Sequence, residues 1–454
     1  MSQSQEALRG TTSSSPTTPD TLALQNHDRV PALDGLRGLA VLCVMLFHFG
    51  TASGLQADTF ATKKIIGFFC NLWSGVDIFF ALSGFLITGI LLREKQEPGY
   101  FTRFYMRRSL RIFPLYYAAL IVIFVLLPAL HLPALDNPGI HRVQDAQAWM
   151  WAYSQDFAIT YFNHDFFDPD PLWVGHFWSL GVEEHFYLVW PLIVYLCTRR
   201  GLLLTSALLI VAAPIVRFTM MHYDMDPAAV YTFTLSRVDQ FAIGGLLALF
   251  VRECEPAQMR RWARWAAGAT VLYLLVCVIE LKRPFYWSYP EALGFGFSFL
   301  ALGSSALIVF AISPQHSAIK GGLELGWLRF FGKYSYGAYV LHTPLQYTFM
   351  QLFGPQRIEA FAAPLGHEAA QLIGLLGFIG LAIALTMLVA LVVYRFIETP
   401  FNRLKRHYEF RTPVRSNLAP APAFGDVVNQ EQMAEAALNK LAIMPEPKAA
   451  TSGD

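Results

Sequence analysis

The sequence predicts an all-α protein, a polytopic transmembrane helical bundle of about ten transmembrane helices with both termini cytoplasmic. Three observations predict it. Of 454 residues, 54% are hydrophobic and 15% charged, and the mean hydropathy is +0.39, outside the usual range of soluble domains. Apolar runs of spanning length fall at roughly 33–50, 72–92, 112–131, 179–197, 202–221, 236–251, 265–281, 291–312, 327–352 and 370–397, where about 20 residues cross the hydrocarbon core. Basic residues then collect on alternate connections. Arg93, Lys95, Arg103, Arg107, Arg108 and Arg111 lie between the second and third runs, Arg252, Arg260, Arg261 and Arg264 between the sixth and seventh, and Arg395, Arg403, Lys405 and Arg406 after the last. A positive-inside bias puts these connections, and with them both ends, in the cytoplasm.

With Lys+Arg 34 against Asp+Glu 33, nothing in the charge balance points to nucleic acid. The five cysteines, Cys43, Cys70, Cys197, Cys254 and Cys277, have no paired spacing, so neither a disulfide framework nor a metal site is expected. Residues 1–28 contain TTSSSPTTPDT and no signal-peptide core, and read as a disordered cytoplasmic leader. A membrane domain is expected over 29–407. Residues 408–454 are polar and Ala/Pro-rich and read as a largely disordered cytoplasmic tail with no appended catalytic domain.

The first run, VPALDGLRGLAVLCVMLFHFG, carries Asp34, Arg37 and His48. Arg37 and His48 are eleven residues apart, a spacing that returns to nearly the same helix face after three turns. Ionisable groups in a membrane helix are costly and mark a site by default. His48, with an unperturbed pKa near neutrality, is the candidate general base; the plainer reading is a histidine bonded to a neighbouring helix. In YMRRSLRIFPLYY, Arg107 and Arg111 are one turn apart with Arg108 three residues from Arg111. Guanidinium forks at that spacing suit phosphates, although a positive-inside bias alone also places arginines there.

Three further constellations follow. GHFWSLGVEEHFYLVWP brings Glu183 and Glu184 into the fourth run; adjacent glutamates point about 100° apart, so at most one faces a given cavity. SGVDIFFALSGFLITG carries Asp77, able to pair with an arginine, Ser83, and two glycines that allow close helix approach. GKYSYGAYVLHTPLQ carries His342, a second base candidate, among tyrosine hydroxyls, and VYRFIETPF reads as the stop of the last helix at Glu398 and Pro400. The long connection with DFAITYFNHDFFDPDPLWVGHFW suits a sugar platform or an interfacial aromatic belt.

In this order, LDGLRGLAVLCVMLFHF, GVDIFFALSGFLIT, RRSLRIFPLYY, WSLGVEEHFYLVWP, SYGAYVLHTP and ETPFNR resemble the membrane acyltransferase-3 family, integral-membrane O-acyltransferases of bacterial envelope and secreted glycans. The resemblance implies a bacterial inner-membrane enzyme with an acyl-CoA donor, usually acetyl-CoA, reached from the cytoplasm, and a glycan or glycoconjugate acceptor at the outer face. It implies that His48 is catalytic, with Arg37 on the same motif, that Arg107, Arg108 and Arg111 hold the CoA phosphates, and that Glu183 and Glu184 are the family's paired glutamates. His185 replaces the commoner glutamine. The competing class is a transporter using the same intramembrane residues as a proton or substrate relay.

Overall fold

A computed structural model describes residues 30–51, 58–130, 138–163, 174–282 and 285–408; the predicted leader and nearly all of the predicted tail lie outside them. Among the described residues the chain is helical, without strands. Helix α1 (Pro31–Thr51) is followed by the short α2 (Phe60–Phe69), which no apolar run had indicated, and by α3 (Gly75–Glu94). Helix α4 (Tyr100–Ile121) runs on through a π turn, Val122–Leu126, into α5 (Leu127–Ala129). Short helices α6 (Pro138–Asp145), α7 (Gln147–Trp151) and α8 (Gln155–Phe162) occupy the described part of the long connection.

Helix α9 (Trp178–Leu196) leads to α10 (Arg199–His222), the short α11 (Pro227–Thr232), α12 (Thr234–Phe250), α13 (Pro256–Leu281) and α14 (Phe297–Ile312). Two short helices, α15 (Ala318–Leu323) and α16 (Gly326–Lys333), precede α17 (Ser335–Phe353) and α18 (Pro355–Ala362). The long α19 (His367–Val393) continues through a π turn, Tyr394–Glu398, into α20 (Thr399–Leu404).

Among the described residues, eight helices are long and apolar enough to cross a membrane, against the ten expected. The two runs that do not qualify, 179–197 and 327–352, hold the polar constellations of α9 and α17. The second is also broken in two at Tyr334, where α16 ends. The expected stop at Pro400 is a continuation instead. Pro400 has no N–H to bond back, a π turn takes up the register, and Thr399 Oγ1 donates to Tyr394 O at 2.7 Å.

Close backbone approach sets the bundle, since lipid supplies no hydrophobic drive between helices. Helix α1 lies against α15 and α16 so tightly that a Cβ on Gly332 would stand 1.7 Å from Asp34 O. Helices α3 and α12 cross in the same manner, with a Cβ on Gly84 placed 2.2 Å from Phe241 O and one on Gly244 placed 2.1 Å from Ala81 O. The first crossing holds the N-terminal end of α1, and the second locks α3 to α12 beside it.

Candidate active site

Three imidazoles meet near the C-terminal end of α1. His48 of α1, His342 of α17 and His176 of the 3-10 turn Gly175–Phe177 pack with ring centroids 4.9 Å apart for His48 and His342 and 4.9 Å for His176 and His342. His48 Nδ1 lies 2.9 Å from Val44 O and 3.2 Å from His342 Nε2. His342 Nδ1 donates to Tyr339 O at 2.6 Å, and His176 Nε2 donates to the same carbonyl at 3.0 Å. Thr343 Oγ1 bonds His176 Nδ1, and Gln346 Nε2 donates to His48 O at 3.0 Å. His342 is wholly buried, whereas His48 is only partly so.

Beside this cluster is a cavity of about 190 Å³ whose wall includes His48, His176, Trp178, Tyr231, Trp287 and Tyr339. Its aromatic side comes from α9, α11 and the segment before α14. Tyr231 and Trp287 have ring centroids 4.8 Å apart, and so do Trp178 and Tyr231. Trp73, also on the wall, donates its indole N–H to Phe285 O at 3.0 Å.

The other end of α1 meets the arginines. Arg37 donates to Asp34 Oδ1 at 3.0 Å and lies in the electrostatic field of Arg108 and Arg111. The Arg108 guanidinium sits over the Tyr187 ring at 5.1 Å and couples to Glu183 and Glu184. Glu183 accepts hydrogen bonds from Ser83 and Tyr187. Glu184 turns away from that pair toward the tyrosines of α4 and α17, and its Oε1 is buried without a hydrogen-bond partner. Lys405, on the 3-10 turn after α20, couples to Arg107, Arg108 and Arg111. Five cations therefore share one end of the bundle: Arg37, Arg107, Arg108, Arg111 and Lys405.

The structure thus divides the sequence-derived residues into two groups. His48 and His342 come together, so that His342 is no separate base but a neighbour of the first. Arg37, Asp34, Arg107, Arg108, Arg111, Glu183, Glu184 and Ser83 gather at the opposite end. Arg37 and His48 are eleven positions apart at a rise of about 1.5 Å each, roughly 16 Å, so Arg37 does not touch His48. Asp77 belongs to neither group. It accepts from Arg237 Nη2 at 3.0 Å and from Gln240, both fully buried. The Arg237 guanidinium is enclosed by Phe297 at 3.8 Å, Tyr231 at 4.9 Å and Trp178 at 5.5 Å. His185 bonds Thr234 at 2.7 Å and lies 3.7 Å from Asp156.

Sequence reasoning missed His176, Arg237 and Asp156. A histidine between glycine and phenylalanine, or an arginine in an apolar run, carries no local mark of its partner. The one available signal was cost: a full charge such as Arg237, just inside the predicted run 236–251, demands a counter-charge once it is buried.

Fold and site define a class, a multi-helix membrane protein with a buried histidine cluster at one end of a helix and a cation cluster at the other. Residues 30–395 match the family described as "Acyltransferase domain", and the chain belongs to that acyltransferase-3 family. It is 29% identical over 402 residues to the putative peptidoglycan O-acetyltransferase YrhL of Bacillus subtilis, covering 83% of this chain and 56% of that protein. It is likewise 29% identical over 394 residues to the peptidoglycan O-acetyltransferase OatA of Listeria monocytogenes, covering 82% and 56%. A putative O-acetyltransferase of Staphylococcus aureus is 26% identical over 391 residues, 82% and 57%. The chain therefore spans little more than half the length of these relatives. No solved structure matches it.

Proposed function

We propose that this chain is an integral-membrane O-acyltransferase of a bacterial inner membrane, moving an acetyl group from cytoplasmic acetyl-CoA to a hydroxyl of an envelope glycan at the outer face. The observation that carries the reading is the placement of His48 on the wall of an aromatic cavity, on the same helix whose far end enters a five-cation cluster. Named relatives act on peptidoglycan, and a glycan strand is the acceptor assigned here.

In this reading Arg107, Arg108, Arg111 and Lys405 hold the donor's phosphates through charge-assisted contacts, and the pantetheine arm runs along α1 toward His48. The cavity beside His48, about 190 Å³, is where the reacting sugar of the acceptor is placed. His48 takes the proton of the acceptor hydroxyl. The hydroxyl oxygen attacks the thioester carbonyl, the tetrahedral intermediate collapses, the C–S bond breaks, and the CoA thiolate leaves with the proton from His48. Arg37, some 16 Å away along the helix, is too far to meet the oxyanion. Trp178 and Trp287 line the cavity with His48, and their indole N–H groups are the donors assigned to the oxyanion.

The test is purified protein with labelled acetyl-CoA and a soluble peptidoglycan fragment, read for free CoA and for label on the glycan. Wild type transfers label, and His48→Ala loses the roughly 10²–10⁴-fold that a general base contributes while remaining inserted. Intact donor together with flux of an unmodified solute across a vesicle would overturn the reading in favour of a transporter.

A further inference from the structure

We propose that His342 is the positioning residue of His48: together with Val44 O it receives the Nδ1 hydrogen and holds the ring so that the unprotonated Nε2 is the nitrogen that meets the acceptor. This rests on the acyl-transfer reading for its consequence, but the hydrogen-bond pattern behind it does not.

Backbone carbonyls decide the tautomers, because a carbonyl only accepts. His342 Nδ1 lies 2.6 Å from Tyr339 O and therefore carries hydrogen. A neutral His342 then presents a lone pair on Nε2, 3.2 Å from His48 Nδ1. His48 Nδ1 also faces Val44 O at 2.9 Å. Only a hydrogen on His48 Nδ1, shared between that carbonyl and the His342 lone pair, satisfies every partner. The reverse arrangement needs a doubly protonated His342 donating to a His48 lone pair pressed against a carbonyl. That would be a cation with no solvent exposure and, among the described residues, no carboxylate bonded to it, which is costly.

The arrangement has two supports. Thr343 Oγ1 holds Nδ1 of His176, leaving its Nε2–H for the second lone pair of Tyr339 O at 3.0 Å. Gln346 holds the backbone of His48 itself at 3.0 Å. His48 Nε2 has no hydrogen-bond partner among the described residues, and the residue lines the cavity. His342 thus works as a buried carboxylate does for a catalytic imidazole, orienting the ring whose tautomer the Val44 carbonyl already sets, but with a neutral acceptor suited to a membrane interior.

The test uses ¹⁵N-histidine-labelled full-length protein in lipid, with the His48 signals assigned by their loss in His48→Gln. Wild type should show His48 with a pyrrole-type Nδ1 and a pyridine-type Nε2; in His342→Ala, where Val44 O still accepts, the proton should stay on Nδ1 while the ring loses its single orientation and its ¹⁵N signals broaden or split. In turnover, Gln and Asn separate positioning from packing. The Gln oxygen in His342→Gln reaches the place of Nε2 and accepts from His48, whereas His342→Asn reaches only the place of Nδ1. CoA release should stay within about tenfold of wild type in His342→Gln and fall about 10²–10⁴-fold in His342→Asn and His342→Ala. If His342→Ala fails to fold, the wild-type tautomer and the Gln against Asn comparison still decide. A wild-type His48 protonated on Nε2, or Asn and Gln variants of equal rate, would overturn the proposal. Wild-type protein that transfers no acyl group while His48 keeps its Nδ1 proton would remove the proposed reaction and leave the positioning standing.

Discussion

At the residue scale, the buried charges Asp77 and Arg237 are paired, while the buried Glu184 Oε1 has no hydrogen-bond partner among the described residues. Asp77 and Arg237 have no solvent exposure and are bonded at 3.0 Å, so removing one partner strands the other. Asp77→Asn or Arg237→Met is expected to cost about 3–5 kcal/mol, seen as a lower unfolding temperature in detergent. The paired change Asp77→Leu with Arg237→Met should cost less than either alone; equal or greater loss would show that the rings around Arg237 and not its charge partner hold the site. His48 itself was readable from sequence, because an ionisable residue in an apolar run draws attention by its cost. Its partner was not, since His342 lies 294 positions away and only folding brings α17 against α1. The same holds for Asp77 and Arg237, 160 positions apart.

At the element scale, two glycine crossings and one surface tie fix the helices that carry the site. Gly332→Ala puts a Cβ 1.7 Å from Asp34 O, and Gly84→Ala puts one 2.2 Å from Phe241 O; backbone oxygens cannot move aside as side chains do. Both variants should lose folded yield on size-exclusion chromatography, whereas Gly268→Ala, where an added Cβ meets nothing within 4 Å, should behave as wild type. The surface tie joins the start of α2 to α19, where Gln371 accepts from Thr62 Oγ1 at 2.7 Å and His367 Nε2 bonds Asp58 at 2.9 Å. The bond from His367 holds the Asp58 carboxyl below its usual value of 3.8. A depressed folded value means that this contribution is present above the unfolded value and is lost as pH falls through the folded one. Asp58→Asn should therefore lower stability slightly at neutral pH, and the difference from wild type should close in acid below the usual carboxylate range; thermal unfolding from pH 7 down to pH 3 reads it. Helix periodicity gave the long spans but not α2, nor the break at Tyr334, because both depend on neighbours packing against short amphipathic turns.

At the scale of the whole molecule, α1 links two chemically different ends. The arginine triplet was readable as a phosphate-sized spacing, while Lys405 was not, since it comes from the last turns of the chain's final described helix and joins the triplet only in the folded bundle. If these cations hold the donor, Arg111→Gln and Lys405→Gln should raise the KM for acetyl-CoA several-fold, with a shallower salt dependence than wild type, and leave kcat near wild type. A fall in kcat at unchanged KM would place them elsewhere in the cycle. The glycan should respond instead to changes at the other end, such as Trp287→Ala on the cavity wall.

The two ends can be separated experimentally in proteoliposomes of known orientation, with labelled acetyl-CoA supplied only on the arginine side and the peptidoglycan fragment only on the other. Label crossing to the glycan in wild type, and absent in His48→Ala, is the expected result. Transfer that occurs only when donor and glycan share one side of the membrane would contradict it.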